Sequence, residues 1–107
     1  MDTPFPNLRP VRVELRLDSV DSHGRAVAAM NAPTARPMAF AISPKPMWFG
    51  FVLNDPSIRV IAPGTAVTCT ISFINHNGAT EALHVGSSSL FGDGVSTKGV
   101  IKIVDLD

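Results

Sequence analysis

The chain of 107 residues contains one cysteine, no tyrosine, no glutamine, two glutamates and three lysines. A single cysteine, Cys69, cannot form an internal disulfide, and a lone thiol is typical of a reducing compartment. Glutamate, glutamine and lysine are the usual residues of exposed helix faces, so their scarcity disfavours a helical domain. These shortages exclude a fold held together by internal disulfides and argue against a helical bundle.

The sequence also lacks an excess of charge and a long apolar run. Nine Lys and Arg balance nine Asp and Glu, so no overall field attracts nucleic acid or an anionic membrane. The longest apolar run, Met47 to Leu53, has seven residues. A membrane span needs roughly 20 residues, so we expect no membrane partner. The first residues, Met1-Asp2-Thr3-Pro4, do not have the basic and then apolar pattern of a secretory signal, which predicts a cytoplasmic protein.

Strand-forming residues dominate what is present: eleven Val, seven Ile and seven Thr. A chain of this length accommodates one domain. Residues 1–10 include Pro4, Pro6 and Pro10, which predict an extended proline-rich arm. Residues 11–107 are predicted to form a single β-barrel domain.

Short alternating segments separated by turn residues recur along the chain. The clearest is Val11 to Leu17, in which apolar and charged residues alternate with the period of a half-buried strand. A hairpin turn at 21–24, a turn at 75–78 and a loop at 86–94 are predicted, together with strands at 25–30, 36–42, 47–53, 66–74, 82–85 and 99–104. This pattern indicates an all-β fold, and a closed barrel is favoured over a sandwich because closure removes exposed edges. We therefore predict a six- to seven-stranded antiparallel barrel of the Greek-key type.

Four segments, taken in order, resemble a known family. They are an acidic turn followed by glycine and arginine at Ser19 to Arg25, an Arg-Pro strand opening at Arg36 to Phe40, a Pro-Gly turn into a long strand at Ala62 to Ile71, and a glycine-punctuated loop and strand at Gly92 to Ile103. Over most of the chain this series is similar to the C-terminal β-barrel, the third domain, of translation elongation factor Tu. The resemblance implies a barrel that stands alone as a small protein.

In that family the barrel has no active site and helps to grip aminoacyl-tRNA and the exchange factor. The resemblance therefore implies a non-catalytic, translation-related binding module. Nucleotide binding is not expected, because the chain contains no Gly-x-x-x-x-Gly-Lys-Ser/Thr motif. The implied RNA contact comprises Arg36, Lys98 and Gly94, and its surface includes the Gly92–Gly99 loop. The family's loop carries arginines where this chain has Leu90 and Gly94, which favours a protein partner over RNA.

The segment 47–53 departs from the family because both of its faces are apolar. One face, with Trp48 and Val52, is assigned to the core. The other face is predicted to be a partner or self-association interface, or to be covered by Phe5 and Leu8 of the arm, since exposed apolar surface costs about 25 cal/mol per Å². The predicted interface residues are Met47, Phe49, Phe51 and Leu53.

No constellation in the sequence supports catalysis, a cofactor or a metal. The histidines His23, His76 and His84 are too scattered for a local metal motif. Cys69 is assigned to the inward face of a strand as an inert thiol. Protein–protein interaction or self-association is thus the preferred function, with an RNA- or tRNA-binding module as the alternative.

Overall fold

The computed structural model describes residues 4–42 and 45–106. Residues 1–3 of the predicted arm, and the last residue of the predicted domain, lie outside the described residues. The described residues form eight strands and one helix: β1 (Val11–Leu17), β2 (Met30–Asn31), β3 (Met38–Ala41), β4 (Met47–Leu53), β5 (Val60–Ile61), β6 (Thr65–Phe73), α1 (His76–Ala82), β7 (Ser88–Gly92) and β8 (Thr97–Asp105).

Six strands close into a barrel in the order β1-β6-β4-β3-β7-β8, and all of its paired neighbours are antiparallel. The closed antiparallel barrel predicted from the sequence is therefore confirmed, with six strands. The remaining two strands, β2 and β5, pair with each other in a small separate sheet.

The alternating apolar and charged residues of β1 form the predicted half-buried strand. Its apolar side chains are fully buried, whereas Arg12, Glu14 and Arg16 are exposed. The strand pairs with β6 on one side and β8 on the other, so a single strand contributes to the core and to the solvated surface at once. Alternation of apolar and polar residues predicts a strand reliably when one face of the strand is in water and the other is buried, as in β1.

Three aromatic rings form the centre of the core. Phe51 of β4 contacts Phe73 of β6 and Phe91 of β7, with ring centroids 5.9 Å apart in both pairs and edge-to-face geometry. Burying a phenylalanine of this kind contributes about 1.5–3 kcal/mol. The rings thus join three strands that are not consecutive in the chain.

Helix α1 closes one end of the barrel, where the sequence predicted a turn at 75–78 and a strand at 82–85. Both predictions are wrong. The helix begins after Asn75, whose side-chain oxygen accepts a hydrogen bond from the backbone N–H of Gly78 and so caps the first turn. Ala79 and Leu83 are buried against the barrel, and this packing stabilises a helix too short to be stable alone.

Strand β7 lies within the segment that the sequence predicted to be a loop. Its serine-rich composition concealed an inward-facing Ser89, whose hydroxyl donates to the backbone oxygen of Phe40 at 2.6 Å and is thereby satisfied. Irregular structure remains on both sides of β7, at Gly86–Ser87 before it and in the turn after Gly92, where Gly94 has a φ of +91°.

The connections at the other end of the barrel fold over it. The predicted hairpin turn at 21–24 is present as a narrow loop closed by a single bridge between Val20 and Ala26. The strand predicted at 25–30 is reduced to β2. At the predicted Pro63-Gly64 turn, Gly64 has a φ of +81°, as the third residue of a type II turn requires. These connections place Arg36 and the β2–β5 sheet at this end.

Candidate interaction surface

Strand β4 faces the opposite way from the sequence prediction. Phe49, Phe51 and Leu53 are 7%, 1% and 1% exposed and belong to the core, so their assignment to an exposed interface is wrong. Trp48 and Gly50 point outward instead, whereas Val52, predicted with Trp48 to lie in the core, is buried at 2% exposure. The reason is volume: three large side chains fill the barrel interior, whereas the other face includes a glycine. Of the four predicted interface residues, Met47 alone is exposed.

The outward side of β3, β4 and β7 carries a continuous set of apolar side chains. Phe40 of β3 is paired with Trp48 of β4, and their rings lie 5.0 Å apart at an angle of 58°. The register that pairs Ala39 with Phe91 sets Leu90 of β7 beside Phe40. We call this surface the apolar face; it comprises Met38, Phe40, Ile42, Trp48, Ile74 and Leu90.

Close packing joins the edges of the apolar face to its centre. The backbone N–H of Ile74 donates to the oxygen of Gly50, and a Cβ on Gly50 would lie 3.7 Å from Ile74 Cγ1. Ile74 therefore covers the place where β4 has no side chain. At the other edge, the turn after β7 packs against Met38. A Cβ added at Gly94 would lie only 2.9 Å from Met38 Cε.

A groove of about 290 Å³ opens beside the apolar face, between β3, β7 and the end of α1. Phe40, Ile42 and Leu90 form its apolar wall, while Ser87, Ser88 and Ser89 supply hydroxyl groups. Ile42 is 73% exposed and Leu90 is 49% exposed. The groove has the size and lining of a socket for one large apolar side chain.

The arm reaches the outer side of β4 at its far end. The backbone N–H of Phe5 donates to Asn54 Oδ1 at 2.8 Å, and Asn54 Nδ2 donates to the backbone oxygen of Phe5 at 3.0 Å. Asn54 also donates to the hydroxyl of Ser72. The arm thus lies against the outer side of β4, whereas the alternative prediction placed it over Phe49, Phe51 and Leu53 and is wrong on that point. Phe49, Phe51 and Leu53, however, are covered by the barrel itself.

The residues predicted to contact RNA do meet at one end of the barrel. Arg36 and Lys98 line the same cavity, and Gly94 follows Asp93, which also lines it. Lys98 Nζ lies 3.5 Å from Asp93 Oδ2, so its charge is matched. Backbone N–H groups of Ser96 and Val95, with a smaller contribution from Lys98, hold the pKa of Asp93 well below its ordinary value.

The candidate reactive groups are separated from one another. Cys69 is buried in β6, where burial raises the pKa of its thiol to about 12. Burial, together with the nearby charge of Arg9, lowers the pKa of His76. In the described chain, no three His, Cys, Asp or Glu side chains group as metal ligands. A buried thiol of this kind is not nucleophilic near neutral pH.

Comparison with protein-family models found no match, and neither did comparison with curated proteins. Over the described residues, no helix combines the length and the apolar character needed to cross a membrane. The apolar face, its groove and the cavity near Arg36 are therefore the features from which a function is argued.

Proposed function

We propose that this chain is a non-catalytic binding module that docks a protein partner on its apolar face. The observation that carries the proposal is the continuity of this face across three strands. Apolar residues scattered singly over a surface are ordinary, whereas a contiguous patch marks an interaction site. Tryptophan and phenylalanine are also enriched at the centres of interfaces, and here the Trp48 and Phe40 rings lie in contact at the centre of the face.

The charges around the apolar face indicate the chemistry of the partner. Arg36 precedes β3 and Lys45 precedes β4, so both lie at the edge of the face. Among the described residues of this rim, Glu81 of α1 is the acidic residue outside an ion pair, since Asp93 pairs with Lys98. The partner surface that fits is apolar at its centre and acidic at its edge. A second copy would bring basic rims together, which disfavours self-association.

We further propose that the chain is a relative of the elongation factor Tu C-terminal barrel, with a role related to translation in the cytoplasm. The closed six-stranded barrel and the order of the resembling motifs support this relation. The free, buried thiol of Cys69 is consistent with a reducing compartment. Within that relation, the apolar face favours the contact with protein over the contact with tRNA.

The test compares two substitutions at equally exposed aliphatic residues. Leu90 on the apolar face is 49% exposed, and Val104 on β8, outside that face, is 47% exposed. Affinity purification with the tagged wild type, Leu90→Glu and Val104→Glu is quantified by mass spectrometry. We expect Leu90→Glu to reduce recovery of the partner about tenfold or more, because it places a charge at the interface centre, while Val104→Glu leaves recovery unchanged. Equal recovery with both variants would contradict the proposal.

Experiments on the same tagged and purified chain distinguish a protein partner from RNA binding and from self-association. An RNA- or tRNA-binding module using Arg36, Lys98 and Gly94 is favoured by the convergence of these residues at one end of the barrel. Its complexes weaken steeply with rising salt and disappear after RNase treatment, whereas an apolar protein interface changes little. Sedimentation of the purified chain tests self-association: a dimer that Leu90→Glu dissociates would replace the foreign partner with a second copy.

A further inference from the structure

The barrel end opposite α1 contains a cavity of about 320 Å³ that the docking proposal does not use. Its floor is the top of the core, where Leu17 and Phe91 are buried. Its walls come from the segment that crosses this end, with apolar contributions from Val27, Met30 and Pro37. Cavities that hold small organic molecules begin at about 300 Å³ and are mostly apolar.

Three charged residues line the cavity in addition to these apolar walls: Arg36, Asp93 and Lys98. The charges of Asp93 and Lys98 compensate each other at 3.5 Å. Arg36 has no carboxylate within ion-pair distance among residues 4–42 and 45–106. One uncompensated positive charge therefore borders the apolar interior.

The guanidinium of Arg36 is held in place by groups that leave its charge intact. Its Nη1 donates to the backbone oxygens of Ala35 at 2.8 Å and Pro33 at 3.3 Å. Its Cζ lies 5.5 Å from the centre of the Phe5 ring. Restraint of this kind reduces the rotamer entropy that an arginine loses when it binds an anion.

We propose that this cavity binds a small organic acid, a molecule with an aromatic or aliphatic body and one carboxylate. The body fits against Ala29 and Met30, above the buried Leu17 and Phe91, and the carboxylate pairs with Arg36. Side chains of Asn31 and Thr34, which also line the cavity, supply further polar contacts.

The experiment is an NMR titration of the ¹⁵N-labelled chain with 4-phenylbutyrate, and with 4-phenylbutyramide as the neutral control of the same shape. We expect the acid to shift the amide signals of residues 28–31 and 91–93, with an affinity about tenfold above that of the amide, because the carboxylate adds a charge-assisted hydrogen bond. Equal affinity of acid and amide would overturn the proposal. Shifts centred on Trp48 and Leu90 would also overturn it, because they show adsorption on the apolar face.

Variants locate the site independently of the ligand pair. Arg36→Gln is expected to remove the preference for the acid. The control is Arg59→Gln, at an exposed arginine immediately before β5, and it is expected to retain that preference. Ala29→Leu keeps Arg36 and fills space in the cavity, and it is expected to weaken both the acid and the amide. Unchanged binding in Arg36→Gln and Ala29→Leu would contradict the assignment. Neither variant touches Leu90, so failure here leaves the docking test unaffected.

Discussion

The two outer sides of this barrel enclose the same core but present opposite chemistry. On β1, β6 and β8 most outward residues are charged or carry hydroxyls and form what we call the charged face: Arg12, Glu14, Arg16, Thr68, Thr70 and Lys102, with Val100 and Val104 as its apolar members on β8. Glu14 is paired with Thr68 on one side and Lys102 on the other, so this side is solvated in the ordinary way. On β3, β4 and β7 the outward residues are the apolar face. The barrel therefore does not require an apolar outer surface, because β1, β6 and β8 enclose the same core while their outer side is mostly charged and polar.

The largest expected effect compares the two sides of β4. Phe51→Ala removes a ring that contacts Phe73 and Phe91, and we expect it to lower the free energy of unfolding by about 3–5 kcal/mol. Trp48→Ala, on the outward side of the same strand, should cost less than half as much. Denaturant unfolding followed by circular dichroism measures both. An equal loss would mean that the apolar face is part of the core.

The next effect concerns the attachment of the arm beside the apolar face. Asn54 is 1% exposed and makes hydrogen bonds to both backbone groups of Phe5 and to Ser72. Asn54→Ala leaves these partners unsatisfied, and we expect a loss of about 1–3 kcal/mol. Hydrogen exchange of the Phe5 and Leu8 amides should accelerate as the arm detaches. The exposed Asn77→Ala is the control, and unchanged exchange in Asn54→Ala would refute the attachment.

A smaller effect on stability is expected from Asp93, which lies at the end of the barrel and not on the charged face. Asp93 accepts hydrogen bonds from Ser96 and Val95, and its pKa is lowered in the folded state. A lowered pKa stabilises the fold above the unfolded value of about 3.9, and this contribution is lost as the pH falls through the folded pKa.

The difference between thermal melts of the wild type and Asp93→Asn should therefore be largest and constant above about pH 5, and it should begin to shrink as the pH falls below about 4. In Lys98→Met this decrease at low pH should largely persist, because the backbone N–H groups are the larger cause of the shift. A difference between the wild type and Asp93→Asn that stays constant at low pH as well would contradict this assignment.

The smallest effect is expected on the charged face. Arg16 is exposed and pairs with Asp18 at 3.2 Å, and exposed ion pairs contribute little. We expect Arg16→Ala to change the free energy of unfolding by less than about 0.5 kcal/mol and to leave partner recovery unchanged. A loss of partner in this variant would show that the charged face, not the apolar one, is the docking surface.

Barrel closure and the course of β1 could be predicted because their alternation reflects water on one side only. The faces of β4 could not, because residues on both sides of the strand are apolar and only packing against Phe73 and Phe91 decides between them. Helix α1 has seven residues and includes Gly78, so it shows no helical period; Asn75 as a cap was its one signal. Strand β7 was concealed by serines whose buried member, Ser89, is satisfied by Phe40 only in the folded barrel.

Because both sides of β4 are apolar, the sequence also left open which side of the strand is exposed at the site. The sequence predicted an interface on the side of β4 that the barrel buries, so Phe49 was included and Trp48, on the outward side, was not. Neighbours from β3 and β7 complete the apolar face, and strand register alone brings Phe40 and Leu90 together. The convergence of Arg36 and Lys98, by contrast, was anticipated from the resemblance, while the cavity between them was not.

Site-specific photocrosslinking tests the docking surface most directly. A benzophenone amino acid is placed at position 90 on the apolar face or at position 104 outside it, and cells expressing each variant are irradiated. The benzophenone is itself apolar and aromatic, so it preserves the character of the face. We predict a discrete protein adduct from position 90, larger than the chain and absent from position 104. Adducts of equal yield from both positions, or none from position 90, would contradict the account.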